Sequence, residues 1–280
     1  MVLRGDGRRQ RTLAQEWSAS GRGLHTGAEC RVTLSALGED SGVQFLVPGA
    51  PAPFQAVVAQ VARTERCTSL GANGWDVSTV EHVLSALSGC GVDNCLVTVE
   101  GGEVPALDGS SLPFVHAICA AGVIEQCAER DVIWLEDAVW VEQGGAQILA
   151  LPADRLRITY GISFDHPLLR QQMFSLDIDD QAYRQEIAPA RTFGFMKEVQ
   201  ALRNRGLARG GTVENAVVLG DDGYLCPLRF GDEPVRHKIL DLIGDLALLG
   251  APLSAHVIGL KTSHSLNIGL VRRILDTRRE

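Results

Sequence analysis

The chain has 280 residues, 45% of them apolar and 21% charged, and a formal net charge of −8. That length suits two domains of about 140 residues with a real core, and the acidic balance argues against a general nucleic-acid or membrane-surface role. No run approaches the ~18 apolar residues of a membrane span, and no signal-length apolar stretch follows the basic start. A soluble, cytoplasmic protein with no transmembrane segment and no nucleic-acid partner is therefore expected. Cysteines at 30, 67, 90, 95, 119, 127 and 226 form an odd set with no CxxC pair, which points to reduced, mostly buried thiols. Arg8, Arg9 and Arg11, Arg203, Arg205 and Arg209, and Arg272, Arg273, Arg278 and Arg279 are local basic groups. The terminal ones read as solvated ends.

Along the chain, Arg11-Thr12-Leu13 and Cys30-Arg31-Val32-Thr33-Leu34 read as strands around a glycine-rich turn, Gly21 to Gly27, with His25 at its tip. A histidine in a turn is, by itself, ordinary polar surface. Pro48 to Pro53 punctuate the chain, and alternation through Val57, Val58 and Val61 predicts a strand. Val77 to Leu87 then predicts a helix with Ser78 or Thr79 as N-cap, placing Glu81 and His82 near the positive end of its dipole. Gly89 to Asp93 end that helix. Asn94 to Glu100 reads as strand, and Leu107 to Ser111 as a turn into a helix from about Pro113 to Ala121.

An internal echo follows. Ala62-Arg63-Thr64 recurs as Ala190-Arg191-Thr192 and Val80-Glu81-His82 as Val235-Arg236-His237, with the two histidines 155 residues apart. Duplication would divide the chain near residue 127, into domains 1–126 and 127–280. Thr64 to His82 spans 18 residues but Thr192 to His237 spans 45, so the second half holds an insertion, about 196–229. It contains a helix-like Met196 to Leu207, Gly210-Gly211, a strand-like Ala216 to Leu219 and the turn Asp221-Asp222-Gly223. Such a piece can wall an apolar ligand, or it can be a stabilising excursion.

Val235 to Leu246 carries the densest pattern. At about 100° per residue Ile239, Leu242, Ile243 and Leu246 share one face while His237, Asp241 and Asp245 form a row on the other. A solvated polar face is the plain alternative. Val257 to Leu260 reads as a strand leading into a small-residue loop that holds His264, and from about Asn267 a helix through Leu270 and Ile274 follows.

His82, His237 and Asp241 have the composition of a catalytic zinc site, three protein ligands with one open position. Glu81 beside His82 is a candidate general base. Amide hydrolysis also needs an acid for the leaving amine; His264 is the histidine in a suitable loop, and Asp245 could hold its imidazole and favour the charged form. Thr192 and Lys238 are candidate donors to a developing oxyanion.

Thr79-Val80-Glu81-His82, Val92-Asp93-Asn94, Asp108-Gly109-Ser110, Ala190-Arg191-Thr192-Phe193-Gly194-Phe195, the stretch from His237 to Leu246 and His264-Ser265-Leu266-Asn267 together resemble the UDP-3-O-acyl-N-acetylglucosamine deacetylase family. The likeness runs from about Arg11 to Leu275. It implies an α+β fold of two similar domains, each layering helices on a β-sheet, with the active site between them and a βαβ insert in the second that forms an apolar passage for an acyl chain. It implies a zinc-dependent amidohydrolase of lipid A biosynthesis in Gram-negative bacteria, acting on a UDP-acyl-sugar substrate. It implies metal ligands at His82, His237 and Asp241, a base at Glu81, an acid at His264 oriented by Asp245, and transition-state stabilisation by Thr192 and Lys238. Phe193, Phe195, Gly211 and Lys261 match positions around the substrate, His25 one near its diphosphate, and Cys67 one near the metal. The chain departs from the family's pattern at Ser263, where a glycine is frequent, and at Ile268, where asparagine is common.

Two other readings stand beside this one: a catalytically silent homologue that binds a sugar nucleotide or partner protein, and a zinc amidase acting on another amide. Release of acetate from the UDP-sugar separates them. His and carboxylate ligands also accept Fe2+, and the expected oligomeric state is a monomer.

Overall fold

The computed structural model describes residues 1–277; Arg278 and Arg279 of the terminal basic group lie outside the described residues. The fold is mixed α+β. In the first part, β1 (Val2–Leu13), β2 (Trp17–Arg22), β3 (Glu29–Ala36), β4 (Val43–Leu46), β5 (Phe54–Gln55), β6 (Val61–Arg63), β7 (Ser69–Ala72) and β8 (Trp75–Ser78) precede α1 (Glu81–Gly89). Then come β9 (Cys95–Glu100) and α2 (Leu112–Ala121). A five-stranded sheet, β2-β3-β9-β4-β5, and a three-stranded antiparallel one, β6-β7-β8, lie in this part. Inward residues Val32, Leu34, Cys95, Val97 and Val99 alternate with outward ones along β3 and β9, the period-2 pattern of a half-buried sheet.

The second part begins with β10 (Val123–Trp134), β11 (Val139–Gln143), β12 (Ala146–Pro152), β13 (Arg157–Ile162), β14 (Gln172–Asp177) and the short α3 (Asp180–Ala182). The insert follows as β15 (Phe193–Phe195), α4 (Met196–Asn204) and β16 (Val217–Leu219), and the chain closes through α5 (Glu233–Leu246), β17 (Leu253–Leu260) and α6 (His264–Asp276). Its seven-stranded sheet runs β1-β10-β17-β12-β11, with β13 on β17 and β14 on β13. β1 therefore crosses to the sheet of the later half, and β10 runs straight through position 127. β15 and β16 pair in parallel around α4, which makes the insert a βαβ unit.

α1 packs against α5 and α2, α5 also against α6, β13 and β14, and α6 against β11 and β12. One continuous set of buried apolar side chains spans both parts. Among the described residues no helix is long and apolar enough to cross a membrane. Cys30, Cys67, Cys90 and Cys95 are buried, Cys119 and Cys127 are exposed and Cys226 is between, all as free thiols.

Three local expectations are corrected, and one alternative falls. The strand drawn through Val57, Val58 and Val61 is broken by a 3₁₀ turn, Val58–Gln60, that turns Val58 into the core. Neither Ser78 nor Thr79 caps α1 with its side chain; Thr79 has φ +58° and its hydroxyl goes to Glu103 at 3.0 Å, so Val80 holds the cap position. His264 does not sit in a loop but opens α6, because Ser263 is extended and its carbonyl accepts from Leu266 and Asn267 at 3.0 and 2.9 Å. The polar row of α5 is not solvated: His237, Asp241 and Asp245 are all buried, enclosed by α1, α6 and β13.

Candidate metal centre and active site

One turn of α5 brings His237 Nε2 to 3.3 Å from Asp241 Oδ1. His237 Nδ1 donates to the Ala190 carbonyl at 3.0 Å; since a carbonyl only accepts, the proton sits on Nδ1 and Nε2 is left free for a metal. Ala190 is fixed in turn by Arg191, whose backbone N and Nε donate to the fully buried Glu233 at the start of α5 at 3.0 and 2.9 Å. The third group arrives from α1. His82 Nε2 lies 3.7 Å from Asp241 Oδ1, and the two imidazoles stand edge to face with centroids 5.1 Å apart. This approach depends on Gly244, because a Cβ there would overlap the backbone carbonyl of Glu81. A glycine inside a helix costs roughly 1 kcal/mol against alanine, and here it permits the crossing of the two helices.

His82, His237 and Asp241 have ligand atoms all within 4.8 Å of one another and all buried. Ligands about 2.0–2.1 Å from a tetrahedral ion lie roughly 3.3 Å apart, so the spacing suits such an ion. The protonation states suit it as well. Burial, with help from His237, pushes His82 down to about 3, and burial likewise lowers His237, so both are neutral nitrogen donors. Burial would raise Asp241, but His237 and Lys238 outweigh it and hold the group well below the usual carboxylate range. Lys238 Nζ takes the other oxygen, Oδ2, at 2.6 Å. Burial works against the Lys238 charge, yet Asp241 leaves its pKa raised, so a cation lies beside the centre.

Around these three sit further titratable groups. Glu81 is 3% exposed, and burial pushes it up to about 8, with His264 pulling it down and Asp241 and Asp245 pushing it further up. His264 Nδ1 donates to Asp245 Oδ2 at 2.9 Å, which leaves Nε2 facing Glu81 Oε1 at 3.8 Å and Asp241 Oδ2 at 3.9 Å. Burial opposes a charged His264, but Asp245 and Glu81 overcome it and raise the imidazole to about 9. The Glu81 carboxyl group and the His264 ring thus face each other beside the three-residue cluster.

Two residues in this cluster were not foreseen. Thr68 is fully buried; its hydroxyl donates to Asp245 Oδ1 at 2.6 Å and its backbone N–H to Glu81 Oε2 at 3.1 Å. Asn267 donates to Asp245 Oδ2 at 2.9 Å and accepts from Thr262 at 2.7 Å. The spacing from His264 to Asn267, one turn of a helix, was a usable signal for the second; nothing local marks Thr68.

The other candidates are distributed around this core. Thr192 is anchored through its backbone, its N–H to Gly109 and its carbonyl to Val217 at 2.8 and 2.7 Å. Phe193 lies 6.5 Å from the His237 ring, and Phe193 and Phe195 pack on Phe164 at 5.7 and 5.3 Å. His166 joins them, 5.5 Å from Phe195, so an aromatic wall stands beside the His82, His237 and Asp241 cluster; Phe164 and His166 were also missed. Cys67 is buried with its thiol pushed up to about 12 by burial and by Glu81. His25 has its pKa lowered, chiefly by burial, and its Nδ1 is buried with no hydrogen-bond partner among the described residues. A Cβ on Gly211 would come within contact range of Leu24, which shares the turn of His25. Lys261 stands exposed at the end of β17 with φ +57°, three residues before His264. An open cleft of about 1030 Å³, lined among others by Leu87, Ile243 and Leu246, opens at the far end of α1 and α5 and holds none of these groups.

A family model described as LpxC: UDP-3-O-acyl N-acetylglycosamine deacetylase matches residues 10–276. The UDP-3-O-acyl-N-acetylglucosamine deacetylase of Myxococcus xanthus is 44% identical over 271 residues, covering 95% of this chain and 86% of that protein. The protein of the same name from Trichormus variabilis is 42% identical over 276 residues, 95% of this chain and 98% of its own length. The one from Thermosynechococcus vestitus is 44% identical over 273 residues, 96% and 95%. With a match of that extent lying over the buried ligand set, the chain belongs to the UDP-3-O-acyl-N-acetylglucosamine deacetylase family.

Proposed function

We propose that the chain hydrolyses the N-acetyl group of UDP-3-O-(3-hydroxyacyl)-N-acetylglucosamine, releasing acetate and the free glucosamine amine, the committed step of lipid A biosynthesis. The observation that carries this reading is the convergence of His82, His237 and Asp241 in one buried cluster with Glu81 and His264 facing each other 3.8 Å apart beside it. His82 Nε2, His237 Nε2 and Asp241 Oδ1 would hold the metal, for which zinc is our choice and Fe2+ the alternative. Such an ion, when bound, acts as a Lewis acid toward water and the amide carbonyl.

The side chains supply the proton traffic. Glu81 takes a proton from the attacking water as its oxygen bonds to the acetyl carbon. His264, held charged by Asp245, gives a proton to the amide nitrogen as the C–N bond breaks, so that an amine and not its anion departs. Lys238 and Thr192 stand as donors to the negative oxygen of the tetrahedral stage. Phe193, Phe195, Gly211 and Lys261 line the substrate, His25 serves its diphosphate side, and Cys67 lies near the metal. The βαβ insert forms the passage for the acyl chain. The same reading takes residues 1–126 and 127–280 as the two domains, and the protein as a cytoplasmic monomer. Purified protein carrying one equivalent of zinc is expected to release one acetate per UDP-sugar consumed; absence of acetate from that substrate, with metal bound, overturns the reading.

A further inference from the structure

Glu103, in the loop that follows β9, is a fully buried carboxylate outside the ligand set. Its two oxygens accept four hydrogen bonds: from His25 N at 2.8 Å, Thr26 N at 2.9 Å, Thr26 Oγ1 at 2.6 Å and Thr79 Oγ1 at 3.0 Å. A carboxylate offers about four lone-pair sites, so the group is fully used. The glycine-rich turn is shaped to admit it, since a Cβ on Gly23 would overlap the Glu103 carboxylate.

The four donors belong to two segments, both tied to the one carboxylate. One is the turn 23–27, whose His25 lies close enough to His264 for their charges to repel and whose Nδ1 is buried without a partner among the described residues. That turn also seats the insert, because the carbonyls of His25 and Leu24 accept from Arg209 and Gly210, each at 3.1 Å. The other segment is Thr79, which sits at φ +58° two residues before Glu81. A non-glycine residue in that region costs of order 1–3 kcal/mol and persists only where its surroundings hold it, and the bond to Glu103 is such a hold.

We propose that Glu103 is a positioning residue that fixes the His25 turn for the substrate's diphosphate and, through Thr79, the entry of α1 that presents Glu81. This rests on the deacetylase reading above. Three of its four bonds go to the turn, so its removal acts first on substrate binding; the fourth acts on turnover.

The experiment measures UDP affinity, KM, kcat and metal content for the wild-type holoenzyme and for Glu103→Gln, Gly23→Ala, Thr26→Val and Thr79→Val. Glu103→Gln and Gly23→Ala are expected to weaken UDP binding and raise KM by about 10- to 100-fold, the scale on which groups that orient ligands act, with stoichiometric metal retained. Thr79→Val is expected to lower kcat and leave UDP affinity in place. Thr26→Val removes one donor without touching the carboxylate, and a several-fold rise in KM there carries the test should Glu103→Gln fail to fold. Unchanged UDP affinity in Glu103→Gln, or in Gly23→Ala and Thr26→Val together, overturns the inference. A wild type that neither binds UDP nor releases acetate sinks the functional reading itself, a different outcome from one confined to the variants.

Discussion

α1 and α5 each bring a histidine to the same point, but they do so by different physics. α5 carries His237, Lys238, Asp241 and Asp245 on one 14-residue helix, so their mutual spacing follows from helical geometry alone. α1 contributes Glu81 and His82 in its first turn, and neither is placed by the helix itself: Thr79 before them is strained, the N-cap makes no side-chain bond, and Glu81 is held by the amide of Thr68. One side of the site is an element; the other is an appointment kept by distant residues. Chemistry that depends on α5 should therefore fail by loss of ligands, and chemistry that depends on α1 by loss of alignment.

The largest effects break the ligand set. His82→Ala and Asp241→Ala should each abolish stoichiometric metal and lower turnover beyond the ~10²- to 10⁴-fold that loss of a general base costs. They should differ in the metal-free protein, because Asp241→Ala also leaves the half-buried Lys238 cation without its carboxylate, and breaking even a fully buried pair costs about 3–5 kcal/mol, an upper bound here. Denaturant unfolding in the presence of a chelator reads the difference, and equal stabilities would mean that Lys238 does not depend on Asp241 for its charge. Next comes Glu81→Gln, which should keep its metal and lose ~10²- to 10⁴-fold in kcat. Full metal with near wild-type kcat would exclude Glu81 as the base.

The same contrast explains what was readable in the sequence. The α5 row could be read because i, i+4 spacing needs no partner, but the spacing could not decide its burial: enclosure by α1 and α6 is a tertiary fact that a polar row does not announce. The insertion was legible from the unequal spacing of the echoed segments, and its helix and second strand from local pattern. Its βαβ form was implied only by the family resemblance, and its first strand, Phe193–Phe195, precedes the expected 196–229. The echoed Ala-Arg-Thr segments looked alike, yet Arg63 makes a half-exposed pair with Asp76 while Arg191 is buried on Glu233, so similar residues do different work. Thr68, Phe164 and His166 were missed because each acquires its role from a contact made across the fold, whereas Asn267, one turn after His264, carried a local signal that went unused. The shift of His264 from loop to helix start has a local origin instead, in the bonds that Ser263 and Thr262 make to residues about one turn on.

A smaller effect sharpens the α1 side. Thr68→Val keeps the amide that holds Glu81 but removes the hydroxyl on Asp245, so the acid side should suffer while the base stays placed. A fall in kcat of about 10- to 100-fold, with metal content and KM preserved, is expected for a residue that orients a catalytic partner. Loss of metal in this variant would instead mean that Thr68 supports the ligand set.

The smallest expected effect concerns Ser263, one of the two departures from the family's pattern; the other, Ile268, is buried in the core. Were the loop strained by serine, Ser263→Gly should release the strain and raise turnover. The backbone argues otherwise. Ser263 has φ −133° and ψ 168°, an extended conformation that any residue adopts, and its side chain makes no capping bond. Exchanging such an N-cap for glycine changes stability by only a few tenths of a kcal/mol, and His264 stays fixed by Asp245 in either case. Kinetics and thermal unfolding of Ser263→Gly should therefore match the parent within about twofold in kcat and a few tenths of a kcal/mol in stability. A tenfold gain would mean that the α6 N-cap, and not the bond to Asp245, governs the orientation of His264.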